Sequence, residues 1–471
     1  MIKYKKSFEE LQQDVEFFQD FLRKRGSYYN VSGLYSLPEY DRKYSLAEIR
    51  RNWNNFISLN KGKDVLKNID FYIHVPFCWS RCSYCSFPSQ ILKDEKDRDR
   101  YLKKIIENFN FFSNVFKGIE FRNLYIGGGT PNIFTEEQLR VFLSALFKNF
   151  KFNLTKWRTG TVEFNPNIGG LEKLDLLKEF GFNRVSFGVQ SLDEATLFKN
   201  NRLPQTYENI QKAVFAAKKA GFKSINVDLI AGFASDTQQT FFDTFSQVAK
   251  LRPTGIVIYG LYPPNDNYLK EHFNLNRNEY CDTYYPKTIS HFLAKVYEES
   301  EKLGYLAKPF DLSDFHWEFR NILNLKNEKL FGKEYGGEFS GFLPASTFGL
   351  GPFSRSRIYK TAEYQCSGVV NFFDDDKALF SGRSLNIGDE IIRFVIGSLE
   401  KKSAISPKLF QKTFNKGFED VFPYAIYALN KLGKMKKKNG LFYFYFEKPE
   451  EKYIFGSFFV YEAIIRSKVD K

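Results

Sequence analysis

FYIHVPFCWSRCSYCSFPSQ, running from Phe71 to Gln90, holds three of the chain's five cysteines, Cys78, Cys82 and Cys85, within eight residues. A disulfide takes two thiols and a structural zinc site usually takes four ligands. Three thiolates suit a cubane iron–sulfur cluster, whose usual complement of four cysteines is one short here, so that one iron stays open to a small molecule. Zinc would need a further ligand, and His74 is the one candidate in the stretch. A histidine inside an otherwise apolar strand reads more naturally as a packed or supporting side chain.

Outward from this stretch the chain has a regular texture. DFYIHV (70–75), RNLYIGGG (122–129), GTVEFNP (160–166), RVSFGVQ (184–190), SINVDLIAG (224–232) and GIVIYGL (255–261) read as strands. Helical stretches separate them, and that alternation argues for parallel βα units. The fold class expected is α/β: a partial (βα)6 TIM-like barrel with an N-terminal arm and a C-terminal, mostly helical, winged-helix-like domain. In such sheets ligands sit at the carboxyl ends of the strands. The cysteines follow the first strand, GGGTP (127–131) follows the second, and Glu163 to Pro166 closes the third.

The expected divisions are an arm over 1–66, the barrel over 67–310, an irregular substrate-side extension over 311–380 and the helical domain over 381–471. Within the arm, Ser7 and Glu10 form a capping-box pattern ahead of an amphipathic helix to Arg23, and 45–59 is a second helix. The segment from about 310 to 375 is rich in Gly and Phe and reads as irregular. In GKMKKKNG (433–440) the lysines read as a turn between a helix and a strand.

The 471 residues include 53 Phe and 28 Tyr, ample material for a large core, and the formal net charge is +14. Such a balance favours anionic partners, although the lysines are dispersed as on a solvated surface. Five cysteines, three of them clustered, indicate a reducing compartment rather than a disulfide scaffold. The charged N-terminus lacks the apolar segment of a secretory signal, and no apolar run of 18 residues occurs. A cytoplasmic location without a membrane span is expected. Nucleic-acid modification would rest on charge alone and is not expected.

YIHVPFCWSRCSYCSF, LYIGGGTPNIF, VEFNP, GFNRVSFGVQS, NNR and NVDLIAGF, in this order and spacing, resemble the radical S-adenosylmethionine (SAM) superfamily. The resemblance is narrower still to its oxygen-independent coproporphyrinogen III oxidase-like branch, which includes haem chaperone-like members. It covers roughly residues 30 to 470. It implies a [4Fe–4S] cluster on Cys78, Cys82 and Cys85, with one or two SAM molecules bound by Gly127, Gly128, Gly129, Thr130, Glu163, Gln190, Arg202 and Asp228. Glu163 would receive an ammonium or hydroxyl, Arg202 the methionine carboxylate, and Gln190 and Asp228 the ribose hydroxyls. One electron from the cluster would cleave SAM to methionine and a 5′-deoxyadenosyl radical, which abstracts hydrogen from the substrate. A reductase or a flavodoxin- or ferredoxin-type protein would supply the electron. The N-terminal arm would bring Tyr28, Tyr29 and Tyr35 over the site.

The substrate-facing half departs from the branch. The oxidases have a fourth cysteine where this chain has Phe87. FDLSDFHWEF (310–319) does not reproduce their His-Phe-Ala-Arg-Pro stretch, and the His-Asn-x-x-Tyr-Trp stretch of haem chaperones is also missing. Phe87 is compatible with two-SAM methyl transfer and with haem chaperones. A tetrapyrrole bears several carboxylates and would suit a basic chain. The outcomes expected are therefore oxidative decarboxylation or radical methyl transfer, and the competing reading is a haem-binding delivery protein that keeps the SAM fold. Cys281 and Cys366 read as ordinary small residues, although Cys366, just after the Gly-rich loop, could face a substrate.

Overall fold

The computed structural model describes residues 6–24, 40, 42–155, 158–202, 205–307, 316–325, 345–373, 380–402, 404–446 and 451–469. Helix α1 (Phe8–Lys24) opens with the expected capping box: Glu10 N–H donates to Ser7 Oγ and Ser7 N–H to the Glu10 carboxylate. Strand β1 (Arg42–Tyr44) and helix α2 (Leu46–Leu59) follow, the latter capped by Ser45 and Glu48 in the same way. Tyr28, Tyr29 and Tyr35 lie outside the described residues.

The six expected strands all form: β2 (Ile69–Val75), β3 (Leu124–Gly128), β4 (Gly160–Phe164), β5 (Arg184–Gln190), β6 (Ser224–Ala231) and β7 (Gly255–Gly260). They pair in parallel in that order, with helices between them. The sheet then continues past the barrel at both edges. On one side β8 (Tyr305–Ala307) and β9 (His316–Asn321) pair antiparallel beyond β7. On the other, β10 (Ser346–Leu350) joins β2 in parallel. Next come β11 (Arg355–Ile358), β12 (Ala362–Cys366), β13 (Phe380–Ser384) and finally β1, all antiparallel. Thirteen strands thus form one sheet.

This differs from the expected irregular stretch at 310–375. STFGL, RSRI, AEYQC and FSGRS are poor in β-branched residues, so local propensity is weak; they become strands because each pairs with a neighbour already in place. The sheet accordingly runs through the expected divisions at 310 and 380.

Alternation along the strands separates two faces. In β5, Val185, Phe187 and Val189 point to the helices, while Arg184, Ser186, Gly188 and Gln190 point to the concave side. The convex face is packed with aromatic rings: Phe71, Phe121, Phe150 and Phe348 meet with centroids 4.8–6.3 Å apart, and Trp53 of α2 donates to Tyr364. Rings packed mostly edge-on fill volume with little polar cost, and here the abundant phenylalanine is structural. The concave face is polar because it lines the site.

The C-terminal unit has its own core. Helices α3 (Ile387–Lys402), α4 (Pro407–Phe414), α5 (Pro423–Lys431) and α6 (Glu451–Val469) surround it. A hairpin of β14 (Met435–Lys438) and β15 (Leu441–Phe444) forms the wing. The lysine run is therefore strand, not turn. The turn is Asn439–Gly440 alone, both at positive φ (51° and 76°), as a two-residue hairpin loop requires. Helix α1 packs here rather than on the barrel: Leu11 and Phe18 enter this core and Tyr424 donates to Asp14. The expected arm is thus shared between two cores, α1 with the C-terminal unit and α2 with the barrel.

Candidate active site

The loop after β2 carries all three clustered cysteines, each half-buried. It is tied down at several points. His74 is buried, and its Nε2 lies 3.0 Å from the Pro88 carbonyl while Nδ1 lies 2.8 Å from the Tyr72 hydroxyl. Burial lowers the His74 pKa to about 4, so the ring is neutral, and the tautomer that satisfies both contacts carries its proton on Nε2. His74 thus supports the cysteine loop rather than joining the thiols. On the far side, Ser83 N–H donates to Asn200 O (3.0 Å) and Asn201 Nδ2 to Arg81 O (2.9 Å).

Glycines bring the end of β3 against this loop. A Cβ at Gly129 would lie 2.6 Å from the Phe77 carbonyl oxygen, and Gly128, at φ 112°, faces the His74 ring. Only glycine permits both the conformation and the approach. Thr130 Oγ1 then reaches Cys78 Sγ at 3.4 Å. Burial raises the thiol pKa values of Cys78 and Cys85.

The remaining expected residues converge from neighbouring strands. Glu163 accepts from Tyr125 Oη (2.5 Å) and from Gly128 N–H (3.1 Å). Its burial, aided by the nearby Asp228, raises its pKa to about 7. Asp228, also raised by burial, accepts from Ser186 Oγ and Asn226 Nδ2, each at 2.7 Å. Gln190 ends β5 at φ 73°, next to an irregularity in the β5–β6 pairing. A non-glycine residue there is uncommon and marks a site of interest. Arg202 places Nη1 3.6 Å from Cys82 Sγ and 3.3 Å from Tyr84 Oη, and it also donates to Gly188 O. Its buried Nε has no hydrogen-bond partner among the described residues.

Tyr72, Tyr125, Ser186, Asn226 and Tyr84 were not singled out in the sequence. Strand alternation could have found the first four, which share a face with His74, Glu163 and Asp228. Cys366 points the other way, into the core, where burial pushes its thiol up to about 12. Cys281 is half-buried against the barrel core.

Whether these residues fit an iron–sulfur cluster and SAM can be judged from the donors present. Among the described residues no three His, Cys, Asp or Glu side chains converge on a single metal ion. Three thiols spread along one loop are compatible with a cubane, in which each cysteine takes its own iron. The glycines let the end of β3 pack against Glu163, His74 and Phe77, which sets Thr130 beside Cys78, and the buried Arg202 Nε–H has no partner among the described residues. The residues present fit both groups.

The comparisons agree with this geometry. Residues 72–248 match the family model described as the radical SAM superfamily, and the chain carries a radical SAM domain there. Its relatives fit the coproporphyrinogen III oxidase-like branch. An oxygen-independent coproporphyrinogen III oxidase of Pseudomonas aeruginosa is 31% identical over 237 residues, 49% of this chain and 50% of that protein. The heme chaperone HemW of Lactococcus lactis is 26% identical over 368 residues, 76% of this chain and 88% of that protein. The structure of coproporphyrinogen III oxidase (HemN) from Escherichia coli superposes with a TM-score of 0.68 at 20% identity, covering 88% of this chain and 93% of that one, which shows the shared fold. The chain spans about half the length or less of the first oxidases it matches. Among the described residues no helix is long and apolar enough to cross a membrane.

Proposed function

We propose that the chain is a radical SAM enzyme that abstracts hydrogen from an organic substrate of the tetrapyrrole class, leading to oxidative decarboxylation or to radical methyl transfer. The observation that carries this reading is the meeting of the three-thiol loop with the glycine cradle, joined by the Thr130–Cys78 contact. Cys78, Cys82 and Cys85 would hold a [4Fe–4S] cluster, and the cradle with Glu163, Gln190, Arg202 and Asp228 would hold one or two SAM molecules. Bound there, these groups supply one-electron cleavage of SAM and the radical that abstracts hydrogen.

The chain's own residues prepare that chemistry. The Gly127–Thr130 segment, packed against the cysteine loop, would line the methionine part. Glu163, held by Tyr125, would receive its ammonium, and the unpartnered Arg202 Nε–H would donate to its carboxylate. Ser186 and Asn226 fix the Asp228 carboxylate so that its remaining lone pairs can accept ribose hydroxyls. The four segments 1–66, 67–310, 311–380 and 381–471 then act as arm, SAM barrel, substrate side and closing domain. The reading implies a reducing, cytoplasmic location and a flavodoxin- or ferredoxin-type electron donor.

A haem-delivery protein that keeps the SAM fold is the second reading, favoured by the longer alignment to the heme chaperone. The two separate in an anaerobic assay with reduced, reconstituted protein and SAM, with and without coproporphyrinogen III or haem. Formation of 5′-deoxyadenosine supports the enzyme. Stoichiometric haem binding with no SAM turnover supports the delivery protein.

A further inference from the structure

The concave face of the added sheet carries charge in two rows, and they differ. In the lower row Arg357, Glu363 and Arg383 stand opposite one another on β11, β12 and β13. Every charge there is answered: Arg357 pairs with Glu363 (2.9 Å) and Glu390 (2.8 Å), and Arg383 with Glu363 (2.6 Å) and Asp389 (2.7 Å). In the row above, two residues along each strand, register places Arg355 opposite Gln365, Gln365 opposite Ser381, and Ser381 opposite Lys43 of β1. This row has two cations and no carboxylate. Lys43 and Arg355 are exposed, Lys43 donates only to Ser381 Oγ (2.6 Å), and Arg355 is in no ion pair among the described residues.

The row leads to the site. Gly349 of β10 pairs with Tyr72 on one side, and its lack of a side chain lets the Arg355 backbone pack directly against it on the other. At a strand spacing of about 4.8 Å, Lys43 stands roughly 14 Å from Arg355, and Arg355 roughly 10 Å from Tyr72. Just above, Phe353 is held at φ 65°, with its ring 5.9 Å from that of His74. Backbone strain of this kind at a bulky residue persists where surrounding structure enforces it. An aromatic surface beside two separated cations and two neutral hydrogen-bonding side chains is chemistry for a flat conjugated molecule bearing several carboxylates.

We propose that Lys43 and Arg355, with Gln365 and Ser381 between them, form a shelf that binds carboxylates of the substrate and holds its ring toward the site. This rests on the radical SAM reading for where the reaction occurs, but the shelf can be tested without it. The test uses the reconstituted full chain and two probes, coproporphyrin III and its tetramethyl ester, with binding followed by porphyrin fluorescence. The acid should bind the wild type, and the ester at least about tenfold more weakly. K43Q and R355Q should each weaken acid binding by about tenfold or more, the double variant further, and R355K should recover part of the loss. Raised salt should weaken the wild type more than the double variant. Equal affinities for wild type and double variant, equal affinities for acid and ester, or no binding of the acid would each overturn the shelf. Circular dichroism on the same samples verifies folding. Iron and sulfide content measured alongside judges the radical SAM reading separately: a loaded protein that fails to bind the acid rejects the shelf alone, and an unloaded one that binds the acid through these residues rejects only the cluster.

Discussion

The Arg202 guanidinium lies 3.6 Å from Cys82 Sγ and donates at the same time to the Gly188 carbonyl, joining the cysteine loop to strand β5. The two residues are 120 positions apart in the chain. A fixed cation and an N–H beside a cluster ligand favour the more negative, reduced state of a cluster, since charge and hydrogen bonds at the sulfurs set its potential. Arg202→Gln is therefore expected to move the midpoint potential of the reconstituted cluster to a more negative value, while Arg202→Lys keeps the charge and loses the fork. An anaerobic redox titration followed by electron paramagnetic resonance measures it. An unchanged potential in a fully loaded Arg202→Gln protein would rule this out. SAM affinity should also fall by about tenfold to a hundredfold, the loss expected of a hydrogen bond to a charged group.

Glu163 gives a pH dependence of known sign. Burial raises its pKa to about 7, above the ordinary 4.5. Between those values the folded state binds more protons than the unfolded one, so this group's effect on stability becomes less favourable as pH rises from about 4.5 to about 7 and is constant above. Binding of an ammonium requires the carboxylate, so SAM should bind the loaded protein more tightly at pH 8 than at pH 6. Glu163→Gln should bind weakly and lose that difference. Calorimetric titrations at the two pH values decide it, and an equal pH effect in the variant would count against the assigned role.

Gly129 tests the cradle. An alanine Cβ would lie 2.6 Å from the Phe77 carbonyl oxygen, and backbone cannot yield as a side-chain tip can. Gly129→Ala should cost roughly 1–3 kcal/mol of stability, as overpacking does, and should displace the residue next to Cys78. The expected results are a lower melting temperature and reduced iron content after reconstitution. Wild-type values for both would show that the approach is looser than described.

Leu11 tests the docking of the N-terminal helix on the C-terminal unit. It is fully buried in that core, 0% exposed. Leu11→Ala should destabilise that unit by about 2–5 kcal/mol, the usual range for a buried leucine. Hydrogen exchange read by mass spectrometry should show faster exchange in α5 and α6, with the barrel strands unaffected. Faster exchange in β2 to β7 as well would mean that the two cores unfold together.

The barrel was legible because its strands carry their own signal. β5 alternates apolar Val185, Phe187 and Val189 with polar neighbours, and glycine-rich or proline-bearing ends follow β3 and β4. The cysteine spacing is equally local. What was not legible depends on distant partners. Lys43 meets Ser381 across 338 residues, and nothing near Lys43 announces a strand. RSRI and AEYQC have neither an apolar run nor β-branched enrichment, and they acquire strand structure from β10, which β2 positions. Helix α1 was visible as a helix, but its apolar face could not say which core it would enter. Arg202 was read toward a ligand carboxylate; its contact with Cys82 arises only when the loop after β5 folds back over the cysteines.

The proposed function requires that Cys78, Cys82 and Cys85 hold a cluster at which SAM is cleaved. The most direct measurement is iron and sulfide content after anaerobic reconstitution of the wild type and of the triple Cys78→Ser, Cys82→Ser, Cys85→Ser variant, followed by mass-spectrometric detection of 5′-deoxyadenosine after reduction and SAM addition. The wild type should hold about four irons per chain and release 5′-deoxyadenosine, and the triple variant should do neither. A triple variant that retains iron, or a fully loaded wild type that releases no 5′-deoxyadenosine, would contradict the account.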